Sequence, residues 1–198
     1  METIQELLKK EQFNKVDIVR LLNLNKADSK LLFLKSKEVK KQYVGEKVYL
    51  RGLIEFSNIC AKDCLYCGIR KSNNSNERYN IADSDILEAV KFAKESNYGS
   101  VVLQSGELES PVFTKRVEDL VRQISSAFDP KLGITLSCGE QDENTYRKWK
   151  DAGADRYLLR IETSNEELFY RIHPRDENHN FQNRLKSLEL LKDLGYQT

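Results

Sequence analysis

The sequence predicts an α/β protein in which N-terminal helices are followed by part of a (β/α)8 barrel, with about four βα units present. Three observations support this. After Gly45, strand-like and helix-like segments alternate, as a parallel sheet requires. The strand-like segments are apolar on one face and largely polar on the other. Their C-terminal ends, where barrel active sites lie, carry the cysteine-rich loop, Gln104–Glu107, Ser137–Glu140 and Arg160–Glu162.

Residues 2 to about 45 read as helices. Leu7, Leu8, Val16, Ile18, Val19, Leu21 and Leu22 recur near helical spacing, and a second segment runs from Ala27 to Tyr43. Lys35, Lys37, Lys40 and Lys41 read as a solvated helix face in preference to a basic patch. Two regions are expected, a helical segment 1–46 and a barrel portion 47–198. Val48–Phe56 is strand-like and leads into the cysteine loop and the polar stretch Ser72–Asn76. A helix over Asp83–Asn97 puts Ile86, Ala89, Val90 and Ala93 on one face, and Gly99 separates it from strand Ser100–Gln104. Helix Val112–Phe128 leads to strand Leu132–Ser137, and helix Asp142–Ala152 stops at Gly153, since glycine tolerates positive φ. Strand Asp155–Glu162 then precedes helices near Glu166–Ile172 and Phe181–Leu194.

Repeated βα units suit a barrel or an open doubly wound sheet. In the fourth strand Tyr157, Leu159 and Ile161 share one face, while Arg156, Arg160 and Glu162 share the other with Leu158. Leu132, Ile134 and Leu136 oppose Gly133, Thr135 and Ser137, and Arg51 and Glu55 flank Leu53 opposite Leu50, Ile54 and Phe56. A parallel strand buried on both sides would be almost wholly apolar. A polar inner face fits a barrel whose interior holds a polar ligand.

The 198 residues carry 32 Lys plus Arg against 31 Asp plus Glu, a net charge of +1. That balance gives no electrostatic footprint for a nucleic-acid partner. No apolar run approaches the ~20 residues of a membrane span. Met1-Glu2-Thr3-Ile4 leads into a charged amphipathic stretch unlike a signal peptide. A soluble, cytoplasmic protein with no membrane partner is expected.

Three of the four cysteines crowd into Cys60-Ala-Lys-Asp-Cys64-Leu-Tyr-Cys67. In a reducing compartment this favours metal or cluster binding over disulfides, and an iron–sulfur cluster over zinc. A cubane cluster is normally held by four thiolates, so three would leave one iron open. Cys138 alternates onto the side of Leu136, facing the helices, and reads as a small buried apolar residue, not a fourth ligand. His173 and His179, the only histidines, lack ligand-like spacing and read as solvent-exposed or capping residues.

The CxxxCxxC run resembles that of the radical S-adenosylmethionine (SAM) enzymes. The likeness extends through Tyr43-Val-Gly-Glu-Lys-Val-Tyr-Leu-Arg51-Gly, Ile54-Glu-Phe-Ser-Asn-Ile-Cys60, Cys64-Leu-Tyr-Cys67-Gly, Leu103-Gln-Ser-Gly-Glu107, Ala152-Gly-Ala-Asp-Arg-Tyr-Leu-Leu-Arg160 and Asn183-Arg184-Leu185. Together these resemble the HydE family of iron-only hydrogenase maturases; biotin synthase and methylornithine synthase match less closely. The resemblance implies that Cys60, Cys64 and Cys67 hold a 4Fe–4S cluster and that SAM chelates its open iron. One-electron cleavage of the sulfonium would then give methionine and a 5′-deoxyadenosyl radical. It further implies that Tyr66 lies near the adenine and that Ser105-Gly106-Glu107 receives the SAM amino group. Ser137 and Glu162 would bond the ribose or amino group, and Arg184 would pair with the carboxylate. Arg51, Thr135 and Arg160 would face the substrate, which is a small iron complex in the HydE family or another small molecule. Other hydrogenase maturases and a one-electron reductant are the implied partners. Against each role stands a structural one: a packed aromatic, a strand-end turn, a satisfied polar group, or an ion pair of Arg160 with Glu162 or Glu55.

The chain ends at Leu194-Gly-Tyr-Gln-Thr198, where a further barrel strand would begin, so the N-terminal half of a barrel is expected. Other readings are a related radical SAM enzyme of small-molecule biosynthesis and a non-catalytic cluster- or zinc-binding module.

Overall fold

The computed structural model describes residues 2–128 and 131–198; Met1, at the start of the expected helical segment, lies outside them. Two compact units are present, Met1–Val48 and Tyr49–Thr198.

The first unit contains three helices where two were expected: α1 (Ile4–Leu7), α2 (Lys15–Leu22) and α3 (Lys26–Val44). Side-chain caps make the difference. Thr3 with Glu6, and Asn14 with Asp17, form reciprocal capping boxes. Asn25 Oδ1 accepts from the N–H groups of Ala27 and Asp28. Each cap satisfies first-turn donors and so starts a new helix within one apolar pattern. Lys35, Lys37, Lys40 and Lys41 are exposed along α3.

The second unit is built on four parallel strands paired in chain order: β1 (Arg51–Ser57), β2 (Ser100–Ser105), β3 (Gly133–Ser137) and β4 (Arg156–Tyr157). They are connected through α4 (Asp83–Glu95), α5 (Pro111–Ala127) and α6 (Glu143–Ala152), and α7 (Glu166–Ile172) and α8 (Phe181–Asp193) follow β4. Two strands differ from expectation. β1 begins at Arg51, not Val48, because its partner β2 begins at Ser100, in register with Arg51. β4 stops at Tyr157 and not at Glu162. Beyond it only the Leu158 N–H continues the ladder, donating to Leu136 O at 2.8 Å. β3 ends at Ser137 and turns at Gly139 (φ 76°), leaving Leu159–Glu162 without a strand to pair with, and Glu162 itself is left-handed at φ 62°. On the far side of β4, Gln197 pairs in parallel with Arg156, so the sheet continues past its fourth strand.

One face of the sheet forms the core. Val101, Leu103, Ile134, Leu136, Cys138 and Tyr157 are buried with Ile86 and Val90 of α4, Val117 and Leu120 of α5, and Tyr146 and Trp149 of α6. Tyr157 stacks on Trp149 at 6.2 Å and meets Tyr146 and Tyr196 edge-on at 5.1 and 5.8 Å. Its hydroxyl donates to Gly139 O at 2.8 Å and so braces the turn after β3. On the other face Arg51, Leu53 and Glu55 are exposed. Among the described residues no helix is long and apolar enough to cross a membrane.

Trp149 is fully buried, and its Nε1–H donates to Thr114 O at 2.9 Å. Trp149→Ala is expected to cost about 3–5 kcal/mol, read from denaturant titration at unchanged m-value. A loss below ~1 kcal/mol would contradict this account of the core.

Candidate functional site

The cysteine loop is held where β1 and β2 end side by side. A bulge at the end of β1 brings Ser57 opposite Ser105. Gly106 N–H then donates to Ser57 O at 3.1 Å and Ala61 N–H to Glu107 O at 2.9 Å. Cys60 Sγ accepts from Glu107 N–H at 3.3 Å. A side chain at Gly106 would put its Cβ 2.2 Å from Ile59 O and 2.7 Å from Cys60 Cβ, so only glycine permits this approach. The return of the loop closes on Arg78, whose guanidinium donates to the carbonyls of Asn58, Ile69, Arg70 and Asn73. The Asn58 side chain donates to Glu77 O and accepts from Tyr79 N–H.

A single cleft beside this loop is lined by Cys60, Cys64, Tyr66, Cys67, Ser105, Gly106, Glu107, Ser137, Arg160, Glu162 and Arg184. Two predicted positions lie elsewhere. Arg51 is the exposed first residue of β1, some 20 Å from the strand's C-terminal end at about 3.3 Å per residue. Thr135 is buried in the middle of β3, and its Oγ1 has no hydrogen-bond partner among the described residues.

The thiols are free and partly buried. Burial raises Cys60 above the ordinary thiol range and pushes Cys64 to about 11. Cys138 is fully buried in the core, its thiol pushed to about 12 by that burial, as its strand position predicted. Tyr66 meets His173 edge-on at 5.3 Å, with its hydroxyl 3.2 Å from His173 Nε2.

Behind the cleft lies a buried charge network that the linear sequence did not signal. Lys62 Nζ stands 2.9 Å from Glu107 Oε1 and 3.4 Å from Glu140 Oε2, and also donates to Asn178 O. Glu140 Oε1 is 2.5 Å from Arg184 Nε, and Arg184 Nη1 donates to Arg160 O at 3.1 Å. Each of the four charged side chains is 12% exposed or less, and two cations balance two anions. Burial opposes the charge on Lys62, but Glu107 and Glu140 outweigh it and hold the ammonium above its ordinary value. Burial raises the Glu107 carboxyl against the pull of Lys62. Glu107 also lies across the turn after β3, where a Cβ on Gly139 would come within 2.2 Å of it.

The histidines correct the sequence reading. Neither is exposed: His173 is 1% and His179 4% accessible. His173 does cap α7, but its ring stacks on Phe169 at 4.0 Å, and His179 Nε2 accepts from Asp63 N–H at 3.1 Å. Phe169 and Phe181 pack edge-on at 5.4 Å between α7 and α8, and in the connector between them His173 and His179 are buried while residues 175–178 stay exposed.

Among the described residues, no three His, Cys, Asp or Glu side chains converge as the ligands of one metal ion do. A cubane asks for something else, a separate thiolate at each iron corner. Three thiols on one short loop, one of them already accepting a backbone N–H, fit that demand.

A family model described as the Radical SAM superfamily matches residues 54–198. The chain belongs to the radical SAM superfamily. Within that superfamily it is 40% identical over 199 residues to the [FeFe] hydrogenase maturase subunit HydE of Thermotoga maritima, covering 98% of this chain and 54% of that protein. It therefore spans about half the length of that relative. Its fold is similar to that of methylornithine synthase (PylB), with a TM-score of 0.78 at 26% identity over 98% of this chain and 56% of the other. It is likewise similar to the FeFe-hydrogenase maturase HydG from Carboxydothermus hydrogenoformans, with a TM-score of 0.79 at 24% identity over 97% and 45%. The architecture is accordingly part of a radical SAM barrel; the strand faces predicted a barrel, and the motif resemblance its family.

Lys62→Met would leave Glu107 and Glu140 buried without their shared cation. The expected cost is about 3–5 kcal/mol in denaturation of the apoprotein. Restoring most of it by adding Glu107→Gln, which leaves Glu140 paired with Arg184, would confirm the coupling, and strictly additive losses would refute it.

Proposed function

We propose that this chain carries the catalytic cluster loop of a HydE-like radical SAM enzyme acting in hydrogenase cofactor assembly. The observation that carries this reading is the gathering at one cleft of three free thiols, the Ser105-Gly106-Glu107 strand end and the Arg184 guanidinium. Cys60, Cys64 and Cys67 would hold a 4Fe–4S cluster. When bound, the cluster and SAM supply one-electron reductive cleavage of the sulfonium, with the 5′-deoxyadenosyl radical as the oxidising product.

The protein's part is to bind, orient and exclude water. Glu107 N–H directed at Cys60 Sγ would stabilise a ligating thiolate. Ser105 and Glu107 offer acceptors for an ammonium, with Gly106 permitting close backbone approach. Arg184 uses Nε and Nη1 within the protein, leaving further N–H donors for a carboxylate. Ser137 and Glu162 border the same cleft and suit the ribose or amino group, and Tyr66 suits the adenine. Arg160 borders it too and is the best-placed candidate to meet substrate. Thr135, two residues before Ser137 on β3 and with no hydrogen-bond partner for its hydroxyl among the described residues, is a second candidate, and Arg51 is kept as a more remote one. The 40% identity to HydE supports a small iron complex as substrate, and other hydrogenase maturases and a one-electron reductant as partners in the cytoplasm.

Anaerobic reconstitution tests this reading. The expected outcome is a brown protein with ~4 iron per chain that cleaves SAM on reduction. A colourless protein that binds zinc alone would overturn it. Changing any one of Cys60, Cys64 or Cys67 to Ala is expected to abolish iron uptake, whereas Cys138→Ala should retain it. Arg184→Lys keeps the charge but loses the planar fork, and should weaken SAM binding about tenfold with iron content unchanged, measured by calorimetry.

A further inference from the structure

We infer that the connector between α7 and α8 is a clamp for the cluster loop, with His173 and His179 as positioning residues. The inference rests on the cluster-binding reading above. Five residues lie between the three cysteines, and all five are tied down. Ala61 is bonded to Glu107 O. The connector holds three of the others, Lys62 Nζ by Asn178 O, Asp63 N–H by His179 Nε2 and Tyr66 hydroxyl by His173 Nε2, and the last residue of α7 holds the fourth, Leu65 N–H by Ile172 O at 3.0 Å.

The histidine tautomers follow from their partners. A backbone N–H can only donate, so His179 Nε2 must carry a lone pair and Nδ1 the proton, which it gives to Asp176 Oδ1 at 2.6 Å. His173 Nδ1 faces Phe169 O at 2.9 Å and must likewise donate, while its Nε2 meets the Tyr66 hydroxyl. The His179 ring is therefore neutral, and each ring holds the residue directly before a cysteine: Asp63 before Cys64, Tyr66 before Cys67. This preorganises the thiols before any iron arrives, at a separation of 116 residues for Asp63 and 107 for Tyr66.

The test measures cluster retention. The reconstituted wild-type, His179→Ala, His179→Gln and His173→Phe chains are challenged anaerobically with an iron chelator, and bleaching is followed with iron content and the EPR spectrum of the reduced cluster. His179→Ala should lose iron at least ~10-fold faster. His179→Gln, which restores an acceptor to Asp63 N–H, should fall within about twofold of wild type. His173→Phe keeps the stacked ring but not the bond to Tyr66, and should bleach faster with an altered EPR spectrum. Apoprotein melting curves identify any variant that fails to fold. If His179→Ala does not fold, Asp176→Ala, which removes the partner of Nδ1–H, replaces it and should also bleach faster. A wild-type chain that takes up no cluster overturns this inference together with the functional reading. Wild type and folded variants that retain iron equally and share one spectrum overturn the clamp alone.

Discussion

The site depends on one close approach, the backbone of Gly106 pressed against Ile59 and Cys60. No side chain fits between them, so the end of β2 and the start of the cysteine loop become one surface. Two consequences follow from that contact. Glu107 N–H is delivered to Cys60 Sγ, and the Glu107 side chain is carried inward across the glycine turn after β3. The thiols and the carboxylate are thereby set relative to each other by backbone, the least deformable part of the chain.

Carrying a carboxylate inward incurs a desolvation cost, and the rest of the cleft floor is organised to offset it. Glu107 follows β2, Lys62 comes from the cysteine loop, Glu140 from the turn after β3 and Arg184 from α8, so the ion network joins four separate segments. Such a network adds little net stability compared with an apolar filling. What it supplies is register, since any shift of one segment strands a buried charge. The aromatic group of Tyr146, Trp149, Tyr157 and Tyr196 plays the complementary part in the core, bracing the same turn through the bond from Tyr157 to Gly139.

Much of the fold was legible because its signals are local. The βα order, the helix boundaries at Asp142 and Gly153, and the helix-facing position of Cys138 all follow from periodicity, capping and alternation. Where local signals failed, a partner strand decided. The extended run after Tyr157 alternates like a strand, yet β3 has already turned away, and without a ladder the extended conformation gives way at Glu162. Arg51 shares the polar strand face with Glu55 but sits at its opposite end, a distinction that alternation alone does not weigh.

By itself the sequence determined the thiol spacing, the glycines that permit close approach, and the family to which the chain belongs. These are properties of short segments, encoded by covalent connection and by residue shape. The tertiary structure alone decided the partners of those segments. Nothing in the sequence singles out Lys62, and His173 and His179 read as solvent-exposed or capping, until the fold brings chain more than 100 residues away against the cysteine loop. The physical reason is that burial and pairing of a polar group depend on what packs over it. Here that is the α7–α8 connector, in which His173 and His179 are buried near the packed rings of Phe169 and Phe181 while residues 175–178 stay exposed.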